Sequence, residues 1–212
     1  MSKITKIEVG KRNKERVNIY IDYEYAFSIN MELVYKFGLK EKQEIDKEKL
    51  IKIAISENFS KCKEVALNTV ERSYKTEKEI RDKLFLKDFD EDTIEKTIQF
   101  LKEYKFIDDS KFVKMYVKDH IKNQGQNKIK YTLIQKGIDK SLIDEALEEI
   151  DRDDEFNVAF TLCEKKYLSL AKRENDEFKI KNKIIRYLLG RGYGYDIAKE
   201  CIREVYLKYK GD

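Results

Sequence analysis

Proline is absent from all 212 residues, so nothing in the chain breaks a helix from within, and a helix-dominated protein is expected. No stretch approaches the length of a membrane span. The start, Met1 to Ile7, interleaves charged and apolar residues and lacks the continuous apolar core of a secretion signal, so a cytoplasmic protein without a membrane partner is expected. Cysteine is scarce. Cys62, Cys163 and Cys201 are odd in number and far apart, which argues against a disulfide framework or a metal site and for free, buried thiols. Histidine occurs once, at His120, and net charge is only +4, so any electrostatic role depends on how the charged 41% of residues is distributed.

What is present is a threefold repetition. Ile80, Leu84, Lys87, Phe89, Ile94 and Ile98 recur with the same internal spacing as Ile129, Leu133, Lys136, Ile138, Ile143 and Leu147. They recur again as Ile184, Leu188, Arg191, Tyr193, Ala198 and Ile202, the copies starting 49 and 55 residues apart. Within each copy, i, i+4 apolar pairs put two side chains on one face of each of two successive helices. A short turn separates them, with Gly137 and Gly192 supplying the positive φ that often follows a helix end and Asp88 standing in for glycine in the first copy. A third apolar-periodic stretch precedes each pair: Val65 to Val70, Phe112 to Val117 and Phe156 to Cys163. Nine helices in three bundles follow.

The first forty or so residues stand outside the repeat. Val17, Ile19 and Ile21 alternate with polar neighbours, Ile4, Ile7 and Val9 precede them across the polar turn from Gly10 through Arg12 to Glu15, and Tyr23, Tyr25 and Phe27 follow in the same rhythm. An antiparallel sheet of about three strands is expected. Asn30 is the expected cap of a short helix that Gly38 stops, and Asp46 opens the next helical run. The expected fold is therefore mostly α: an elongated tandem array of three three-helix repeats behind a small N-terminal β lobe. The boundaries are 1–45 for the lobe and 46–107, 108–154 and 155–212 for the repeats.

Charge alternates along this array. Residues 111–140 carry +6 and residues 144–155 carry −7, while Phe178 to Tyr195 holds Lys179, Lys181, Lys183, Arg186 and Arg191 with no acid. A base recurs at Lys87, Lys136 and Arg191, one turn after each apolar pair. A row of like charges suits a polyanionic or filamentous partner. Abundant aromatics could stack on bases, but Phe89, Phe100, Phe106, Phe112 and Phe160 read as core, leaving Tyr193 and Tyr195 as exposed candidates.

Catalysis has little support. His120 with Asp119, Asp108 and Asp109 could be imagined as an acid–base or metal site, but Asp109 before Phe112 and Val113 reads as a helix cap, and His120 suits that helix's carboxyl end. Gly190, Gly192 and Gly194 follow a helix and lack phosphate-loop spacing. No catalytic residue, metal or cofactor is expected. A tandem helix-turn-helix DNA-binding protein is the alternative, although the second helices carry Asp90 to Asp92 and Asp144 to Glu149, which phosphate would repel.

Together these residues carry a resemblance. Glu79-Ile80 with Lys83-Leu84 and Lys87-Asp88-Phe89, Phe106-Ile107-Asp108-Asp109 with Phe112-Val113, Gly125 with Lys128-Ile129, Leu133 and Lys136-Gly137-Ile138, and Leu189-Gly190-Arg191-Gly192-Tyr193 resemble the RecX family. The segment from Ile4 to Tyr20 is similar to the extended lobe of members from Gram-positive bacteria. The resemblance implies a non-catalytic regulator that binds the RecA–single-stranded DNA filament, lies in its groove and inhibits or destabilises it, lowering ATPase and strand-exchange activity. A monomer is expected, with low-specificity contact to single- or double-stranded DNA as a further expectation. Contacts to the filament or DNA backbone are expected from Lys87, Lys128, Lys130, Lys136, Lys183, Arg186 and Arg191.

Overall fold

The computed structural model describes residues 2–11 and 13–211, so Arg12 in the expected polar turn and Met1 at the start lie outside the described residues. The chain divides into two compact units, Met1–Asp108 and Asp109–Asp212.

The first unit opens with β1 (Ser2–Val9), β2 (Arg16–Ile21) and β3 (Glu24–Asn30), followed by α1 (Met31–Lys36) and the two-residue β4 (Glu44–Ile45). The sheet is antiparallel in the order β3-β2-β1-β4, one strand more than the alternation predicts, because Ser2 and Lys3 pair with Ile45 and Glu44. Two residues are too short to leave a periodic trace. Ile4, Ile19, Ile21 and Ile29 form the inner face and pack with Leu39, Leu50 and Ala54. The Asn30 side chain caps α1 by accepting from the Glu32 amide, and Gly38 follows at φ +59.

α2 (Lys47–Arg72) serves two cores. Its amino-terminal half gives Leu50 and Ala54 to the sheet, while Cys62 and Ala66 join Ile80, Leu84, Ile98 and Leu101 of α3 (Glu77–Leu86) and α4 (Glu91–Glu103). Arg16 locks the two parts together. Its guanidinium is almost fully buried, donates to the Ser28 carbonyl at 2.8 Å and to Asn58 Oδ1 at 3.3 Å, and lies 4.7 Å over the Phe89 ring. The charge is held by these hydrogen bonds and by ring stacking, with the carboxylates of Asp88 and Asp90 adding favourable charge.

The second unit holds α5 (Asp109–His120), α6 (Gln126–Gln135) and α7 (Lys140–Glu148), then α8 (Arg152–Ala171), α9 (Glu177–Gly190) and α10 (Tyr195–Lys210). Each trio has its own core, around Val113, Ile129, Leu133 and Ile143 in one and Ala159, Ile184, Leu188 and Cys201 in the other. All three cysteines are buried free thiols. No helix among the described residues is long and apolar enough to cross a membrane. Two local expectations fail here. Phe106, whose ring stacks on Phe100, is 45% exposed, and Asp109 is the first residue of α5, not its cap.

Candidate functional site

The same turn closes the first helix of the last pair in all three bundles. Lys87, Lys136 and Arg191 are the C-caps of α3, α6 and α9, and the next residues, Asp88, Gly137 and Gly192, have φ of +68, +79 and +92. The amides of Phe89, Ile138 and Tyr193 donate back to Leu84, Leu133 and Leu188, and those of Asp88, Gly137 and Gly192 to Phe85, Ile134 and Leu189. This is the Schellman pattern, with a buried staple between each pair of apolar residues. Tyr193 is such a staple and only 1% exposed, so of the two tyrosines expected at the surface only Tyr195 is there. At these three helix ends the residue two places past the end packs into the core, a consequence that glycine spacing alone conceals. The recurrent base thus has a local reason, since a cation is favoured beside the partial negative charge of a helix carboxyl end.

The seven cations meet different surroundings. Lys87 is exposed, and its carbonyl accepts from Asn13 Nδ2 at 3.1 Å. Lys130 is engaged by Asp144 across the α6–α7 pair, and Lys183 lies 3.1 Å from Glu174. Lys136 sits 5.7 Å over the Phe112 ring. Among the described residues Lys128 and Arg186 are exposed and form no ion pair. Lys183 and Arg186 line a cleft of about 460 Å³ with Lys166, Leu170 and Tyr187. Lys166 Nζ lies 5.3 Å from the Tyr187 ring centre and Arg191 Cζ lies 4.9 Å from it, so the ring gathers two cations beside the cleft. Lys166 escaped sequence reasoning because it belongs to α8, outside the basic run; its sequence neighbour Lys165 was the only signal.

Arg191 also joins two bundles. Its guanidinium donates to the Asn123 carbonyl at 3.0 Å, its own carbonyl accepts from the Gly125 amide at 3.0 Å, and the Gly192 carbonyl accepts from Asn127 at 3.1 Å. Glu155 of α8 completes the joint by accepting from the Gln126 amide at 2.9 Å, where burial raises its carboxyl above the usual range. The joint was invisible in sequence because its partners lie 29 to 68 residues apart with no common period.

The residues considered for catalysis do not converge. Asp109 and His120 occupy opposite ends of α5, and His120 stacks on Tyr116 at 3.8 Å with Nδ1 2.8 Å from the Tyr116 carbonyl. The acidic residues Glu91, Asp92, Glu145 and Glu148 are exposed on α4 and α7, the helices that a helix-turn-helix reader would insert into a groove.

Comparison with known proteins assigns this architecture. Family models match in four successive segments: the regulatory protein RecX N-terminal domain over residues 2–46, and the first, second and third RecX three-helix domains over 62–101, 108–147 and 153–202. The chain belongs to the RecX family of regulatory proteins. Regulatory protein RecX of Clostridium botulinum (strain Eklund 17B / Type B) is 53% identical over 96% of both chains, and that of Clostridium perfringens (strain 13 / Type A) is 48% identical over 97% of both. A crystal structure of regulatory protein RecX superposes with a TM-score of 0.66 at 28% identity, covering 96% of this chain and all of that one. RecX from Lactobacillus salivarius gives 0.65 at 30% identity, covering 72% of this chain and 99% of its own. In RecX terms, Lys87 closes a helix of the first three-helix domain, Lys128, Lys130 and Lys136 lie in the second, and Lys183, Arg186 and Arg191 lie in the third.

Proposed function

We propose that this protein is a non-catalytic, monomeric cytoplasmic regulator that binds the RecA–single-stranded DNA filament and inhibits its ATPase and strand exchange. Family membership supports the regulatory role, and the observation that carries the reading is the threefold recurrence of one cation-tipped helix end. A filament presents identical subunits at regular intervals, so a chain that repeats one surface element can engage several of them. Individually weak contacts then reinforce each other through effective concentration. Lys87, Lys128, Lys130, Lys136, Lys183, Arg186 and Arg191 are the proposed contact cations.

The test is ATP hydrolysis by RecA on single-stranded DNA with this protein added. Inhibition that saturates below one protein per filament subunit is expected; unchanged hydrolysis at several-fold excess overturns the reading.

Direct, low-specificity DNA binding is a second reading, favoured by the cleft that holds Lys166, Lys183 and Arg186. Affinity for DNA alone that falls steeply with salt and ignores sequence would support it.

A further inference from the structure

In the first two bundles a base on one helix of the last pair meets an acid on the other, at the same place. The residues after Ile80 and Ile94 are Arg81 and Glu95, 2.7 Å apart, and those after Ile129 and Ile143 are Lys130 and Asp144, joined in the same way. The third bundle breaks the rule. After Ile184 and Ala198 stand Ile185 and Lys199, so the base has become apolar and the acid has become a base. Directly beyond the second helix's apolar pair, Lys102-Glu103 and Asp151-Arg152 of the first two copies likewise give way to Tyr206-Leu207.

These replacements meet in space. Ile185, Ile202, Tyr206 and Leu207, with Tyr195 and Lys199, line one groove of about 1000 Å³ along α9 and α10. Ile185 and Tyr206 pack partly against the bundle's core, while Leu207 remains 47% exposed. The other charges at the rim have partners: Lys210 engages Glu177, Arg152 lies 3.4 and 3.9 Å from Asp196 and Glu200, Arg203 lies 3.1 Å from Glu204, and Lys181 sits 4.5 Å from the Tyr206 ring centre. Lys199 is exposed and has neither ion pair nor ring contact among the described residues.

We infer that the α9–α10 groove docks an amphipathic helix of a partner protein, whose apolar stripe covers Ile185, Tyr206 and Leu207 and whose flanking carboxylate pairs with Lys199. Charge complementarity sets that sign: the partner supplies the acid that Glu95 and Asp144 supply internally in the other two bundles. The groove's length suits a helix. Its lining runs from Tyr195, the first residue of α10, to Lys210, the last, which at 1.5 Å per residue is about 24 Å or four turns. An extended peptide binds by adding main-chain bonds to a sheet edge, which two helices do not offer; a helix binds through side chains one and two turns apart. Glu177, Asp196 and Glu200 line the same groove and would repel phosphate, which disfavours nucleic acid. None of the seven cations proposed to contact the filament lines it, so the inference goes beyond that reading and does not depend on it.

The experiment titrates the full chain with a labelled synthetic helical peptide of about four turns that carries a leucine stripe flanked by glutamates, and with its counterpart flanked by lysines. Fluorescence anisotropy reads binding, and circular dichroism confirms the fold of each variant. The glutamate peptide should bind at least about tenfold more tightly than the lysine one, and Lys199→Glu should reverse that order. Leu207→Ser, a change at an exposed position, should weaken the glutamate peptide about 5- to 10-fold. The double variant Ile185→Arg with Lys199→Glu installs the residues of the first bundle's Arg81–Glu95 bridge and should fold while losing the peptide. A glutamate peptide that binds no more tightly than the lysine one, or equally well to the folded double variant, overturns the groove. A single-stranded oligonucleotide that displaces the peptide overturns the protein assignment in favour of nucleic acid. A native chain that sediments as a dimer while the double variant sediments as a monomer gives the groove to a second copy and overturns the partner helix.

Discussion

Gly125 and Gly192 meet so closely that a Cβ on Gly125 would lie 2.4 Å from the Gly192 carbonyl oxygen, and one on Gly192 would lie 2.4 Å from the Lys128 amide nitrogen. Backbone lies against backbone here. The contact is braced by the amides of Gly125 and Asn127 donating to Arg191 and Gly192, so the second and third three-helix domains are joined by a ladder of main-chain bonds.

Gly125→Ala should therefore destabilise the chain by about 1–3 kcal/mol, since the obstructing atoms are main chain and cannot rotate away. Gly192→Ala should cost at least as much, because φ of +92 adds backbone strain. Gly190 has nothing within 4 Å of a Cβ, and Gly190→Ala should be neutral or stabilising by about 0.5 kcal/mol. Urea unfolding measures all three, and amide exchange at Asn127 should accelerate in the first two only.

Arg16 makes the corresponding joint between the N-terminal sheet and the first three-helix domain. Arg16→Lys keeps the charge but loses the planar fork that reaches Ser28 and Asn58 together and stacks on Phe89. A loss of about 1–3 kcal/mol is expected by chemical denaturation, and Arg16→Met should do no better because it leaves Asn58 Oδ1 without that donor. Equal stability of the lysine variant would show that charge alone holds the joint.

The two joints mark where sequence reasoning ended. The ladder from Ile80 to Ile202 was legible because core contacts inside one bundle repeat at helical spacing, and Asn30, Asp46 and Gly137 were legible because caps act on neighbouring residues. Gly125 meets Gly192, and Arg16 meets Asn58 and Phe89, through backbone approach, hydrogen bonding and ring stacking that impose no period. The same limit hid Lys166, which meets Lys183 and Arg186 only when α8 packs on α9. Tyr193 was misread for a local reason: glycines around it look like a surface loop, whereas the turn they form points it into the core.

Glu155 gives the chain a pH signature. Burial is the main cause raising its carboxyl, Asp196 adds to this, and the Gln126 amide opposes it. The folded state therefore holds the proton more tightly than the unfolded chain. This contribution is fully present below the unfolded carboxylate range and is lost as pH rises through the raised folded value. Glu155→Gln keeps an oxygen for the Gln126 amide without the charge. It should be more stable than the native chain at pH 7, with the gap shrinking as pH falls toward about 4.5. A gap independent of pH would show that Glu155 is uncharged or compensated.

Burial also governs the thiols. Desolvation pushes Cys62 up to about 11 and Cys163 and Cys201 up to about 12, so almost no thiolate exists at neutral pH even before access is considered. Native protein should react with an aromatic disulfide reagent at least about 100-fold more slowly than a free thiol, and all three should react promptly in denaturant. Fast reaction at one position in the native chain would locate a local opening.

The proposed contact cations should not be equivalent, because their present partners differ. Lys130 is held by Asp144, and recruiting it to a partner means breaking that pair, so Lys130→Met should change filament inhibition little. Lys128 and Arg186 are exposed, form no ion pair among the described residues and need no such exchange. Lys128→Glu and Arg186→Glu should each raise the concentration for half-inhibition of RecA ATPase about tenfold. The effect should shrink as salt is raised from 50 to 300 mM, because exposed charges are screened over about 10 Å at 0.1 M. Gly192 lies against Lys128, so its variant must first be shown to unfold like the native chain. Inhibition that responds to Lys130 more than to Lys128 and Arg186 would mean that the partner displaces Asp144, and would move the contact face onto the α6–α7 pair.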